Sequence, residues 1–190
     1  MKYLYLARTF REKGLSLFTT RDFEQMAGLS RSSAWGALGR YTKQGLVKSP
    51  KRGWYYLADN PPHEYLLANK LYGPSYVSFE TALAYYSIIP ETVYSIISAT
   101  TKTTREFEGD GRRFKYMKIK QAAFTGYLKK DDYLIADPEK ALVDYVYFVA
   151  LGKKQINDRL NTSRINKSKL QEYAGLFENK QLNQLVKQLC

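Results

Sequence analysis

Between positions 18 and 57 the chain reads FTTRDFEQMAGLSRSSAWGALGRYTKQGLVKSPKRGWYYL, and the spacing of Gly28, Gly45 and Gly53 in it admits few folds. Thr20 stands where a cap is needed, ahead of a short helix over residues 21–27. Gly28-Leu29 makes a tight turn, because glycine takes the left-handed conformation that closes a helix. Ser30 caps a second helix that runs to about residue 44, where Gly45 ends it. Leu46-Val47 and residues 54–57 have the composition of two short strands, joined by the basic tip Ser49-Pro50-Lys51-Arg52-Gly53. Helix, turn, helix and hairpin, in that order, are the parts of a winged helix-turn-helix, a unit that lays its second helix in the major groove of DNA.

The second helix divides by face. At helical spacing Ala34, Leu38 and Tyr41 share one side, flanked by Ala37, and are expected to pack on the other helices. The opposite side carries Ser32, Gly36, Gly39 and Lys43, with Trp35 and Arg40 at its edges. Small residues with a few cations suit a helix that lies close to another surface. The plainer alternative is that the two glycines only weaken the helix, each by ~1 kcal/mol relative to alanine. On the DNA reading, Arg31, Ser32, Ser33, Trp35, Arg40 and Lys43 face the groove, arginine being the usual reader of guanine and serine serving any base. Thr19, Thr20 and Arg21 contact the backbone, and Lys48, Lys51 and Arg52 on the wing hold phosphates or enter the minor groove. A helix-turn-helix can also bind protein, so the motif alone leaves both partners open.

Charge follows the same division. The chain of 190 residues carries a formal net charge of +12. Residues 1–60 hold 11 Lys/Arg and 4 Asp/Glu (+7), and residues 61–190 hold 19 and 14 (+5). Charge density is therefore about three times higher in the first third, as expected of a polyanion-binding head. Charge alone does not choose between nucleic acid and an anionic membrane. No apolar run reaches the ~18 residues of a transmembrane helix, and Arg8 and Arg11 interrupt any signal-peptide core. The single cysteine, Cys190, forms no internal disulfide, which points to a reducing cytoplasm.

Taken in order, residues 2–13 form a first helix, with Leu4, Ala7, Phe10 and Arg11 at three- and four-residue spacing and Tyr3 and Leu6 widening the stripe. Ser16-Leu17-Phe18 either adds a strand beside the wing or only leads into the next helix. The run Ala58-Asp59-Asn60-Pro61-Pro62 breaks every pattern and sets a domain boundary at residues 60/61. Beyond it come helices over residues 64–72 and 79–89, the latter capped by Ser78, then a strand over residues 92–98. Residues 104–108 and 112–120 bracket Gly109-Asp110-Gly111 as a hairpin. Residues 123–127 and 133–136 add strands. Asp137-Pro138-Glu139 opens a helix to about residue 150, and residues 153–190 are helical and polar, with Ser168 as a cap. The fold class is α+β: an N-terminal winged helix-turn-helix domain over residues 1–60, then a mixed α+β domain with a helical end over residues 61–190.

Enzymatic sets are scarce. One His, one Cys and no clustered carboxylates with ligand spacing leave no zinc site, and no metal or other cofactor is expected. The acidic group Asp131, Asp132, Asp137 and Glu139 with Lys140 is the best candidate for a metal-dependent nuclease. A helix start already accounts for Asp137 and Glu139, however, and Lys140 directly follows Glu139, not two positions on as a strand-borne pair requires. A non-enzymatic role is expected. Arg112, Arg113, Lys115, Lys118 and Lys120 form either a second basic surface or a solvated hairpin face.

The stretch 18–57, with YGPSYVSFETALAYYSIIPETVYSIISATTKTTREFE, FKYMKIK, FTGY and ADPEKALVDYVYF following in order, resembles the abortive-infection AbiE-type antitoxins over roughly residues 3–150. The second block carries more of the likeness, because winged helices are common. The resemblance implies a transcriptional regulator of a bacterial phage-defence operon that binds inverted repeats in its own promoter. It implies a nucleotidyltransferase-like toxin as functional partner without a stable complex (a type IV system), and a protein that is monomeric in solution or self-associates weakly on DNA. It implies no membrane partner and supplies no active site. Direct neutralisation of the toxin by binding is the alternative.

Overall fold

The computed structural model describes residues 3–109 and 111–189. Lys2, placed above in the first helix, Asp110 at the hairpin tip and the terminal Cys190 lie outside the described residues. The chain divides into two compact units, Met1–His63 and Glu64–Cys190.

In the first unit, three helices close around one apolar core: α1 (Tyr3–Glu12), α2 (Thr20–Ala27) and α3 (Arg31–Lys43). The strands are β1 (Phe18–Thr19), β2 (Val47–Lys51) and β3 (Trp54–Leu57), in the order β1-β3-β2, all antiparallel. Of Ser16-Leu17-Phe18 only Phe18 enters a strand, which runs on to Thr19, with Phe18 opposite Tyr55. Leu6, Ala7 and Phe10 from α1 meet Phe23 and Ala27 from α2 and Ala34, Ala37 and Leu38 from α3, with Phe18, Val47 and Leu57 beneath. The rings of Phe10 and Phe18 stack at 4.2 Å, and Phe23 lies 6.3 Å from both. Truncating one such ring to alanine costs ~3–5 kcal/mol.

Three local expectations are corrected here. Thr19, not Thr20, caps α2: its hydroxyl accepts from the Asp22 amide, and the Asp22 carboxylate takes the Thr19 N–H at 2.7 Å. That reciprocal pair needs an acid three residues on, which Thr20 lacks because Phe23 stands there. Strand β2 begins at Val47, not Leu46, and runs on to Lys51 through Pro50, where a register shift between Lys48 and Lys51 accommodates a residue with no N–H to give.

The second unit is a six-stranded mixed sheet in the order β6-β7-β5-β4-β9-β8. Its strands are β4 (Ser75–Val77), β5 (Ser95–Thr100), β6 (Arg105–Gly109), β7 (Arg112–Lys118), β8 (Tyr127–Lys130) and β9 (Tyr133–Ala136). Helices α4 (Glu64–Leu71), α5 (Phe79–Tyr85), α6 (Pro138–Ala150), α7 (Lys167–Gly175) and α8 (Lys180–Leu189) complete it. Pairing register assigns the faces. Tyr116, Ser98, Val77 and Ile135 lie in one row across the sheet, and Tyr76 and Ala99 project from the other side. The Tyr116 hydroxyl donates to the Ala68 carbonyl of α4, and the Tyr76 hydroxyl to Asp144 of α6 at 3.0 Å. The sheet is therefore covered on one face by α4 and on the other by α6. The mixture of helices and sheets makes the chain α+β.

Several boundaries differ from the sequence reading. Strand β4 is unanticipated, being three buried residues long. Ser87 at φ +56 stops α5 before residue 89, and the Ser78 hydroxyl bonds Asp144 at 2.7 Å in place of capping. Strand β5 starts at Ser95, not residue 92. Residues 123–127 are not one strand: a 3-10 turn over Gln121–Ala123 precedes Gly126 at φ +72. A Cβ on Gly126 would stand 2.7 Å from Tyr173 Cζ, so the turn fits only glycine. Residues 153–166 are not helical, because Asn157 and Asn161 bond the amides of Arg159 and Ser163, two residues on, in local turns that compete with helix. Asn166, not Ser168, caps α7 through the Lys169 amide, while its own N–H is held by Glu139.

Candidate nucleic-acid interface

Helix α3 has the expected faces. Ala34, Ala37 and Leu38 are buried, Tyr41 is half-buried, and Arg31, Ser32, Ser33, Trp35, Gly36, Gly39, Arg40 and Lys43 are exposed. The helix is fixed in place from both ends. Gly28 at φ +61 ends α2 with its N–H on the Glu24 carbonyl, so α3 starts two residues after that turn. Ser30 caps α3 by accepting the Ser33 amide, and its hydroxyl also contacts the Ser32 and Ser33 hydroxyls at 3.2 and 3.0 Å. At the other end the Tyr3 hydroxyl donates to the Leu46 carbonyl just past α3.

The remaining expected contacts separate into two groups. Arg21 is exposed on α2, and Lys48, Lys51 and Arg52 are exposed on the hairpin, where Gly53 at φ +83 turns the chain. Thr19 and Thr20 are half-buried. The Thr19 hydroxyl is committed to Asp22, which it meets at 2.7 Å, so its place in the set is explained by the helix cap.

The four carboxylates of the first unit are all engaged. Glu12 pairs with Arg8 at 2.7 Å, Asp59 pairs with Arg11, and Asp22 serves the α2 cap. Glu24 lies 4.0 Å from Arg31, whose side chain stays 85% exposed. Acids thus pair Arg8 and Arg11 of α1 and leave Lys13, Arg21, Arg40, Lys43 and Arg52 without a recorded ion pair or side-chain hydrogen bond among the described residues. An exposed helix of small residues beside uncompensated guanidinium and ammonium groups can take a polyanion at close range.

In the second unit, the hairpin cations are mostly ion-paired. Arg112 pairs with Glu64 at 2.8 Å, Arg113 with Glu106 and Glu108 at 3.2 and 2.9 Å, Lys115 with Glu106 and Lys120 with Glu178. Four of the five cations of the basic hairpin set are thus ion-paired, and Lys118 is exposed without a recorded side-chain ion pair among the described residues.

The acidic group is dispersed. Asp131 and Asp132 are exposed in the β8–β9 turn. Asp137 caps α6 through the Lys140 amide at 2.8 Å and accepts from Tyr173 and Lys169 at 2.7 and 2.9 Å. Glu139 holds Asn166 and Lys169. No group of three potential metal-ligating side chains converges among the described residues. Lys140 instead forms a fully buried pair with Asp144, a residue the sequence reading passed over, and lies 4.8 Å from the Phe177 ring centroid. Burial pushes Asp144 up and Lys140 down from their ordinary pKa values, and the Tyr76 and Ser78 hydroxyls help hold the carboxylate. The signal was available: Lys and Asp four apart in an otherwise apolar helix must meet inside the core. No helix of the described residues is long and apolar enough to cross a membrane. The chain matches no protein-family model, and a search of curated proteins returns no match.

Proposed function

We propose that residues 1–63 form a winged helix-turn-helix that binds duplex DNA, with α3 in the major groove and the β2–β3 hairpin as the wing. The observation that carries this is the segregation of charge: every carboxylate of the unit is engaged by a cap or a cation, and Arg21, Arg40, Lys43 and Arg52 stand exposed without a recorded partner around a helix whose outer face holds two glycines. The second unit serves as an α+β effector domain, in which Arg112, Arg113 and Lys115 of the β6–β7 hairpin are paired with Glu64, Glu106 and Glu108.

The resemblance to AbiE-type antitoxins supplies the biological role. The chain is a non-enzymatic repressor of its own toxin–antitoxin operon, acting in the cytoplasm on inverted repeats, and it counters a nucleotidyltransferase-like toxin. Band shifts with the operon's promoter and a scrambled duplex test the DNA assignment. Arg40→Ala relaxes the preference for the promoter, and Arg52→Ala weakens both duplexes alike. Equal loss on both for Arg40→Ala overturns its role as a base reader. Co-expression with the neighbouring gene product tests the partner: a stable stoichiometric complex would favour direct neutralisation.

A further inference from the structure

One exposed side chain on α3 is neither a cation nor a hydroxyl. Trp35 is 56% exposed, and it makes no recorded ring contact or hydrogen bond among the described residues. It borders a shallow concavity whose other walls are Ser30, Arg31, Ser32 and Gly36. Gly36 adds no side chain there, so the indole forms an apolar wall in a setting that is otherwise polar and basic. Single exposed aromatics are ordinary, and what sets Trp35 apart is its place in the wall of a basic, hydroxyl-lined concavity on the exposed face of α3.

Resting on the DNA-binding reading above, we propose that this concavity takes the 5-methyl group of a thymine and that Trp35 is a specificity-determining residue. Two considerations select this occupant. Arg31 at the rim, 85% exposed although Glu24 lies 4.0 Å away, and Arg40, one turn past Gly36, give the patch the positive charge that a nucleic acid complements. Among the base edges presented in the major groove, only thymine offers an apolar group, and apolar side chains are what read it. Arg31 positions the duplex, Arg40 reads its own base as proposed above, and the indole discriminates thymine from cytosine.

The test uses the full chain on duplexes selected from a randomised library. Each thymine of the selected sequence is replaced in turn by deoxyuridine, which removes the methyl group and nothing else. At one thymine per half-site, affinity should fall about fourfold, the worth of one buried carbon. Trp35→Ala should weaken binding to the thymine duplex and abolish the thymine–uracil difference, while Trp35→Phe retains part of it. The two deletions form a cycle in which coupling appears only if indole and methyl touch. Trp35 is exposed, so the alanine variant should fold, which Trp54 fluorescence checks. If every uracil substitution is neutral, or if Trp35→Ala keeps the difference, the thymine assignment falls while sequence-specific DNA binding stands. If no sequence is enriched, or if single strands bind more tightly through base stacking on the indole, the DNA-duplex reading falls with it.

Discussion

Replacing Gly39 with alanine should make the protein more stable and its DNA binding weaker, a combination that loss of folding cannot produce. A Cβ built at Gly39 meets nothing within 4 Å, and one at Gly36 meets only the Arg40 guanidinium at 3.7 Å. Both residues lie inside α3 and are exposed. Alanine therefore fits without strain, and each substitution should stabilise the helix by ~1 kcal/mol. For a unit of about 60 residues, that raises its melting temperature by roughly 4–8 °C. Both tryptophans of the chain, Trp35 and Trp54, belong to this unit, so tryptophan fluorescence follows its unfolding within the full chain. With α3 in the groove as proposed, the added methyl group would intrude where backbone and groove approach each other. Overpacking of that kind costs about 1–3 kcal/mol, or roughly 5- to 150-fold in affinity, read by fluorescence anisotropy on the promoter duplex. A stabilised Gly39→Ala variant with unchanged affinity would refute the reasoning and reduce the glycines to a local weakness of the helix.

Lys140→Met should destabilise the chain by ~3–5 kcal/mol, since it leaves the Asp144 carboxylate buried beside two hydroxyls with no counter-charge. The double variant Lys140→Met/Asp144→Leu should recover most of that loss in urea unfolding. Thr19→Ala should cost ~1 kcal/mol through the lost α2 cap, seen as an earlier tryptophan-fluorescence transition. Alkaline pH should weaken the second unit. Burial raises Tyr86 and Tyr173 to about 12 from an ordinary value of 10.0, so the unfolded chain releases these protons first. The stability they contribute is fully present below about pH 10 and lost as pH rises through about 12, visible as tyrosinate absorbance appearing together with loss of secondary structure.

The elements legible in the sequence were those with a local physical signature. Ser30, Gly28 and Gly45 bounded α3 because caps and left-handed turns are short-range. Asp137-Pro138 fixed the start of α6 for the same reason, and alternation across FKYMK marked β7. Illegible were elements defined by distant partners. Strand β4 is three residues long and exists because β5 and β9 flank it. Ser78 looked like a cap until Asp144, 66 residues on, claimed its hydroxyl. The exposed face of α3 was readable because helical periodicity sorts Ala34 and Leu38 from Arg40 and Lys43. Which cations lack a partner was not, since pairs such as Arg11–Asp59 join residues 48 apart.

The most direct measurement is the salt dependence of promoter-duplex binding by the full chain, repeated with single alanine substitutions at Arg21, Lys43, Arg52, Arg113 and Lys115. Each phosphate contact contributes about 0.9 to the slope of log affinity against log salt. The slope should fall by close to that amount for Arg21, Lys43 or Arg52 and stay unchanged for Arg113 and Lys115, whose charges are already paired. A slope that responds to the second group and not to the first would contradict the placement of the DNA surface on α3 and its hairpin.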